Sequence, residues 1–281
     1  MTSPADAASR GRRAQLAWAE SRDIEVDHQG YTLRLEDNLF QPLGEQTRRE
    51  LAAGAGNELG EEGGRGKLQA VHASAALAVN VFDYWRNRPR EPLQQAFALE
   101  EAISNIQFER PFPTGMLGTP PHLDVTLTTD SRRVIAIESK FLEVYPARTG
   151  VRPFRDTYFP ASGGRWDAGK LTDCQRLADA LRSGEQSYRH LDAQQLLKHA
   201  LGLAHTVGDR FSLWYLWYDP AGEEGRVHRT EIEEFSRCID PHLGFRSMTY
   251  QELIAKLEVS CGAEHSAYLS YLTARYAAAP S

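Results

Sequence analysis

Asp124, Glu138 and Lys140 are the residues whose types and spacing promise chemistry: two carboxylates and an ammonium carried on neighbouring alternating runs. From His122 to Tyr145, two β-branched runs flank a polar Thr-Thr-Asp-Ser-Arg-Arg turn, the pattern of a β-hairpin. In the first run Leu123, Val125 and Leu127 face the core, while Asp124, Thr126 and Thr128 face away. In the second, Ile135, Ile137 and Phe141 share one face, and Glu138 and Lys140 the other. A turn centred on Ser131 sets Asp124 opposite Glu138, because each lies seven residues from it. Opposed residues have Cβ atoms about 4.5–5.5 Å apart, where like charges repel. Two carboxylates and a lysine in that position suggest a divalent cation. The plain alternative is an acid-and-lysine face bathed in solvent. Against it, Val134-Ile135-Ala136-Ile137 is apolar on both faces, as in a strand covered on both sides. Charges set in such a strand need partners or a metal.

Asp124, followed in the next strand by Glu138-Ser139-Lys140, resembles the PD-(D/E)XK nuclease superfamily, the restriction-endonuclease-like fold. The Glu-x-Lys half matches in full. Leu123 stands where the family has proline, with Pro120 and Pro121 just upstream. The flanking elements follow the family's order from about Asn57 to Leu257, and the closest likeness is to poorly characterised bacterial members.

The resemblance implies an α/β (α+β) architecture, a mixed central β-sheet flanked by helices. It also implies a metal-dependent nuclease that hydrolyses DNA phosphodiester bonds. Such cleavage needs a positioned water, neutralised phosphate charge and help for the leaving oxygen, much of which a carboxylate-held Mg²⁺ supplies. By the same resemblance, Asp124 and Glu138 hold Mg²⁺, or Mn²⁺ in its place, and the Ser139 carbonyl completes the protein ligands. Lys140 orients or deprotonates the water, or stabilises the charged phosphorane. Glu58 is the acid expected near the first core helix; Glu61 and Glu62 compete for that role, and a helix dipole alone favours acids there. Gln195 and His199, one turn apart on a helix, resemble a Gln-x-x-x-Tyr element in which the glutamine supports the site and His199 replaces the tyrosine.

The elements that must position these residues read as follows. Residues 1–25 are polar, Ala/Arg-rich and read as loosely ordered; a short strand is expected at 31–35, within a partly irregular N-terminal extension over 1–53. A single nuclease-like domain spans 54–281. After a glycine-rich segment at 54–66 comes a helix over 67–86, whose stripe is Leu68, Val71, Ala75, Val79 and Phe82. That segment is not a P-loop, since Glu61 occupies the first glycine position. A strand over 103–112 precedes the hairpin. Helices are expected at 171–182 and 191–205, and a strand at 211–218. Three further helices follow at 230–237, 249–257 and 263–278. The long loop over 146–169 carries Arg148, Arg152, Arg155 and Arg165 beside aromatic residues, a combination able to grip a phosphate backbone and stack on bases. Trp214, Tyr215, Trp217 and Tyr218 suggest a stacking platform, but aromatics are also good strand formers, and core packing is favoured.

Composition narrows the function classes. The formal net charge is −6, which argues against a general nucleic-acid-coating protein while leaving room for a nuclease with local basic patches. Three scattered cysteines match neither a disulfide framework nor a zinc pattern, so a cytoplasmic setting is expected. Neither a membrane span nor an apolar signal core is apparent. DNA is the expected partner, and a homodimer would let two sites cut both strands. The rival readings are a non-catalytic nucleic-acid-binding or scaffold protein that retains the fold, and a hydrolase of another phosphate ester.

Overall fold

The computed structural model describes residues 6–54, 56–60, 64–146, 154–161 and 163–277. Five strands form one mixed sheet in spatial order β1 (Ile103–Pro111), β2 (His122–Thr129), β3 (Val134–Lys140), β4 (Phe211–Trp217) and β5 (Arg246–Thr249). The first three pair antiparallel and the last three parallel. A hairpin joins β2 to β3 directly, whereas parallel neighbours require long crossovers, and these carry the helices.

The helices are α1 (Ala7–Glu20), α2 (Glu45–Ala53), α3 (Ser74–Phe82), α4 (Glu91–Ala96), α5 (Arg165–Ala168), α6 (Thr172–Ser183), α7 (Ala193–Val207), α8 (Gly222–Arg237), α9 (Tyr250–Ser260) and α10 (Ser266–Leu272). They cover both faces of the sheet. On one face Val125, Leu127, Ile135, Ile137, Trp214 and Leu216 pack with residues of α3, α9 and α10. On the other, Val134, Ala136, Leu213, Tyr215 and Trp217 pack with α6, α7 and α8. Hence β3 is apolar on both sides until Glu138. The aromatic residues of β4 are core, as expected: Trp214, Tyr215, Trp217 and Tyr218 are all buried.

Several local expectations are corrected. Over residues 6–25 the N-terminal stretch is not loose, residues 1–5 lying outside the described residues: α1 is capped by Asp6 and buries Trp18 and Ala19 in the main core. Residues 31–35 form no strand, only isolated bridges from Tyr31 to Ala70 and Thr32 to Val26. The helix expected from residue 67 starts at Ser74, after a 3-10 turn over Lys67–Gln69. The helix at 230–237 begins earlier, at Gly222, with Glu223 and Glu224 favouring its first turn. The final helix is broken into a 3-10 turn (Ala263–His265), α10 and a π-helical turn (Thr273–Ala277). Leu123 is buried but packs with Phe112 in the second cluster, apart from Val125 and Leu127. At that level the facing strand kinks, with Glu109 at φ 49°.

Candidate active site

The β2–β3 register pairs Val125 with Ile137 and Thr128 with Val134. Carried one step further, it sets Asp124 opposite Glu138, the arrangement a turn about Ser131 requires. The β1–β2 register likewise runs through Phe108–Val125 and Arg110–Leu123, which sets Glu109 on Asp124's other side. Three carboxylates therefore stand abreast on three adjacent strands, at the carboxyl end of β3.

Their neighbours define the chemistry. The Ser139 N–H donates to Asp124 Oδ2 at 2.6 Å. Lys140 Nζ lies 2.6 Å from Glu138 Oε1 and donates to Gln195 Oε1 at 3.0 Å. His199 Nε2 lies 2.9 Å from Glu138 Oε2. Glu138 and His199 are each 1% exposed, whereas Asp124 keeps accessible surface and marks the open side.

Helix α7 delivers Gln195 and His199. Asp192 caps it by accepting from the Gln195 N–H at 3.0 Å, and the two side chains then follow one turn apart. Close approach depends on Gly202, where a Cβ would collide with the Phe112 carbonyl. On the other side, the Ser139 hydroxyl and Tyr250 OH are 2.5 Å apart, which pins the middle of the Glu-Ser-Lys segment to α9. With its N–H and hydroxyl engaged, the Ser139 peptide is held in place, and its carbonyl is the remaining candidate donor.

Glu58 comes from the glycine-rich loop rather than from a helix. The Leu68 N–H donates to its carbonyl at 3.0 Å, and Gly66 packs where a Cβ would strike that same carbonyl. Folded back in this way, Glu58 is 8% exposed and its Oε2 has no hydrogen-bond partner. Glu61 and Glu62 lie outside the described residues.

Charge is unevenly distributed over this cluster. Burial and the neighbouring Glu138 charge push Asp124 well above the usual carboxylate range. Burial, then Glu58 and Glu138, push Glu109 up to about 7, and burial raises Glu58 as well. Glu138 goes the other way: burial opposes its charge, but Lys140 and His199 outweigh it. Burial also works against the Lys140 ammonium, yet Glu138 and Asp124 hold it above its ordinary value, so it stays protonated.

Among the described residues, no three His, Cys, Asp or Glu side chains form a ready-made metal cage. The donor set nevertheless fits a hard divalent cation, which needs only one or two carboxylates beside water and substrate oxygens. Asp124, Glu109 and Glu58 are each costly to ionise together, and a bound cation relieves that cost.

Glu109 was not legible as a site residue, because its place depends on strand pairing and a positive φ. His122, whose Nδ1 is 3.7 Å from Glu109 Oε2, was equally hidden. Arg148 and Arg152 lie outside the described residues; Arg155 and Arg165 are exposed. Within the loop over 146–169, Trp166 and Phe154 are buried and not free to stack on bases, whereas Tyr158 and Phe159 are half-buried beside them.

Comparison with known families adds one decisive finding. The family described as "Restriction Endonuclease associating with ARP" matches residues 12–277. The chain belongs to that family. The match takes in the later part of α1 and every strand, so the restriction-endonuclease-like architecture applies to the whole chain between those bounds. No curated protein and no solved structure matches it. No helix among the described residues is long and apolar enough to cross a membrane.

Proposed function

We propose that this restriction-endonuclease family member is a divalent-metal-dependent nuclease that hydrolyses DNA phosphodiester bonds at Asp124, Glu138 and Lys140. The observation that carries the reading is Lys140 Nζ held between Glu138 Oε1 and Gln195 Oε1 beside the raised carboxyl of Asp124. A lysine fixed at two points and kept charged is built to stabilise anionic oxygen, not to take up a proton.

Asp124 and Glu138 would hold Mg²⁺ or Mn²⁺, with the Ser139 carbonyl and Glu58 as further oxygen donors. When bound, such an ion supplies charge neutralisation at the phosphate and lowers the pKa of a bound water. The chain's own residues do the rest. Asp124 offers the accessible edge where substrate enters. Lys140 donates to the attacking water or to a non-bridging phosphate oxygen, and Gln195 keeps its ammonium aimed there. Arg155 and Arg165, exposed on one side, supply phosphate contacts away from the cut, with Arg148 and Arg152 proposed for the same role. A homodimer would place two such sites for cutting both strands, and a cytoplasmic setting suits the free thiols.

The test is cleavage of linear, circular and single-stranded DNA with Mg²⁺, Mn²⁺ or EDTA, with Asp124→Ala and Lys140→Ala in parallel. Metal-dependent cutting lost in both variants supports the nuclease and identifies the strand form it takes. DNA binding without cutting turns the reading toward a non-catalytic binding protein. Hydrolysis of a small phosphate ester with no affinity for DNA turns it toward the other rival.

A further inference from the structure

Resting on the nuclease reading, we propose that His199 is the positioning residue for Glu138: its Nε2 donor holds one carboxylate oxygen so that the acid presents its remaining lone pairs to a divalent cation beside Asp124. The geometry is specific. Glu138 is bracketed, with Lys140 2.6 Å from Oε1 and His199 Nε2 2.9 Å from Oε2. Each carboxylate oxygen has two lone-pair sites, so one close nitrogen on each leaves a site free for a cation.

The tautomer follows from burial. His199 Nδ1 is buried with no hydrogen-bond partner. A proton there would leave an unsatisfied N–H inside the protein and turn a bare Nε2 lone pair toward a carboxylate. Neither ring nitrogen completes a well-aligned hydrogen bond, but only Nε2 faces an acceptor, 2.9 Å from Glu138 Oε2, so the tautomer with its proton on Nε2 is the one the carboxylate can use.

The placement is also economical in structure. Gln195 and His199 share one face of α7, so a single helix holds both of Glu138's partners, one through Lys140 and the other directly. Without His199, a glutamate side chain with three rotatable bonds keeps only its lysine contact. Partners of this kind, which orient a metal-binding carboxylate, typically change metal affinity 10–100-fold when removed.

The experiment is Mn²⁺ titration of the full chain, reading free Mn²⁺ by electron paramagnetic resonance, with a thermal melt to establish folding. His199→Leu is expected to weaken Mn²⁺ binding by about 10–100-fold. His199→Gln, whose amide nitrogen reaches the Nε2 position, is expected to restore most of it. His199→Asn, whose nitrogen stops near the Nδ1 position, is expected to behave like the leucine variant, and it serves as the comparison if leucine does not fold. A folded Leu or Asn variant with unchanged affinity overturns the proposal, as does a glutamine variant no better than either. If Asp124→Ala abolishes Mn²⁺ binding while His199 variants leave it untouched, only this inference falls. If the unaltered chain binds no Mn²⁺, the metal-dependent reading falls with it.

Discussion

Arg275 is 3% exposed, and all five of its N–H groups are used on uncharged acceptors: Gln15 Oε1, the Asn38 carbonyl and side-chain oxygen, the Val71 carbonyl and the Tyr271 hydroxyl. The Trp18 ring lies 4.1 Å from its guanidinium carbon and adds a cation–π contact. Across the molecule, Glu58, Glu109, Asp124 and Glu138 crowd together with far less compensation. Glu58 Oε2 has no partner, and three of the four acids are pushed upward, first by burial. Arg275 ties α1 to the chain's last turns and asks nothing of an outside ligand. The acid cluster keeps surplus negative charge at an accessible edge. A buried charge that serves the fold is satisfied internally; one that serves a ligand is left incomplete until the ligand arrives.

The largest effect that could break this contrast lies in activity. Asp124→Ala and Lys140→Ala should each lower Mg²⁺-dependent DNA cleavage by about a hundredfold or more while the protein stays folded. Cleavage at the unaltered rate would make the acid cluster as structural as the arginine. Next in size, Arg275→Leu should cost about 3 kcal/mol or more in urea unfolding, since five buried acceptors lose their donors together. A loss under about 1 kcal/mol would mean that the guanidinium is dispensable to the fold.

Glu109→Gln should do the opposite and stabilise the metal-free protein at pH 8, by about 2 kcal/mol. The sign follows from its folded pKa of about 7, raised above the ordinary 4.5 by burial, Glu58 and Glu138. The folded state favours the protonated acid, so stability present below pH 4.5 is lost as pH rises toward 7. Thermal melts of both proteins across that range should converge at low pH and separate above it.

The smallest effect has the reverse slope. Burial and then Arg12 lower His72 from 6.5 to about 4, so its neutral form is favoured on folding. That contribution is present above pH 6.5 and fades as pH falls toward 4. His72→Gln should remove the loss of stability on acidification between pH 6.5 and 4, leaving unchanged the opposite slope that Glu109 sets between pH 4.5 and 7.

The hairpin was readable because alternation and a polar turn together dictate register, and register alone brings Asp124 across from Glu138. The two-sided cover of β3 was readable from Val134-Ile135-Ala136-Ile137. Gln195 was singled out by its one-turn spacing from His199 and its likeness to a Gln-x-x-x-Tyr element, and in the structure its Oε1 accepts from Lys140 Nζ at 3.0 Å. Glu58, expected just ahead of or at the start of the first core helix, is carried near Glu109 by a loop folded over Gly66, well before that helix begins at Ser74. The looseness read into residues 1–25 fails over residues 6–25 because polar composition hides how α1 docks. Its Trp18 and Gln15 meet Arg275, about 260 residues away along the chain.

What the sequence determined by itself is therefore the local order: four of the five strands, β5 being unforeseen, which of their faces carry acid, and that a lysine follows the second acid at a spacing of two. Periodicity is a property of neighbouring residues, and the backbone repeats of strand and helix translate it directly into geometry. The tertiary structure decided what each acid meets. Glu109 enters through pairing of β1 with β2 and a positive φ, and His199 through the approach of α7 permitted by Gly202. Tyr250 enters through packing of α9 beneath Ser139. Those contacts join segments far apart in the chain, and the burial and neighbouring charge that shift each acid exist only after the segments have packed.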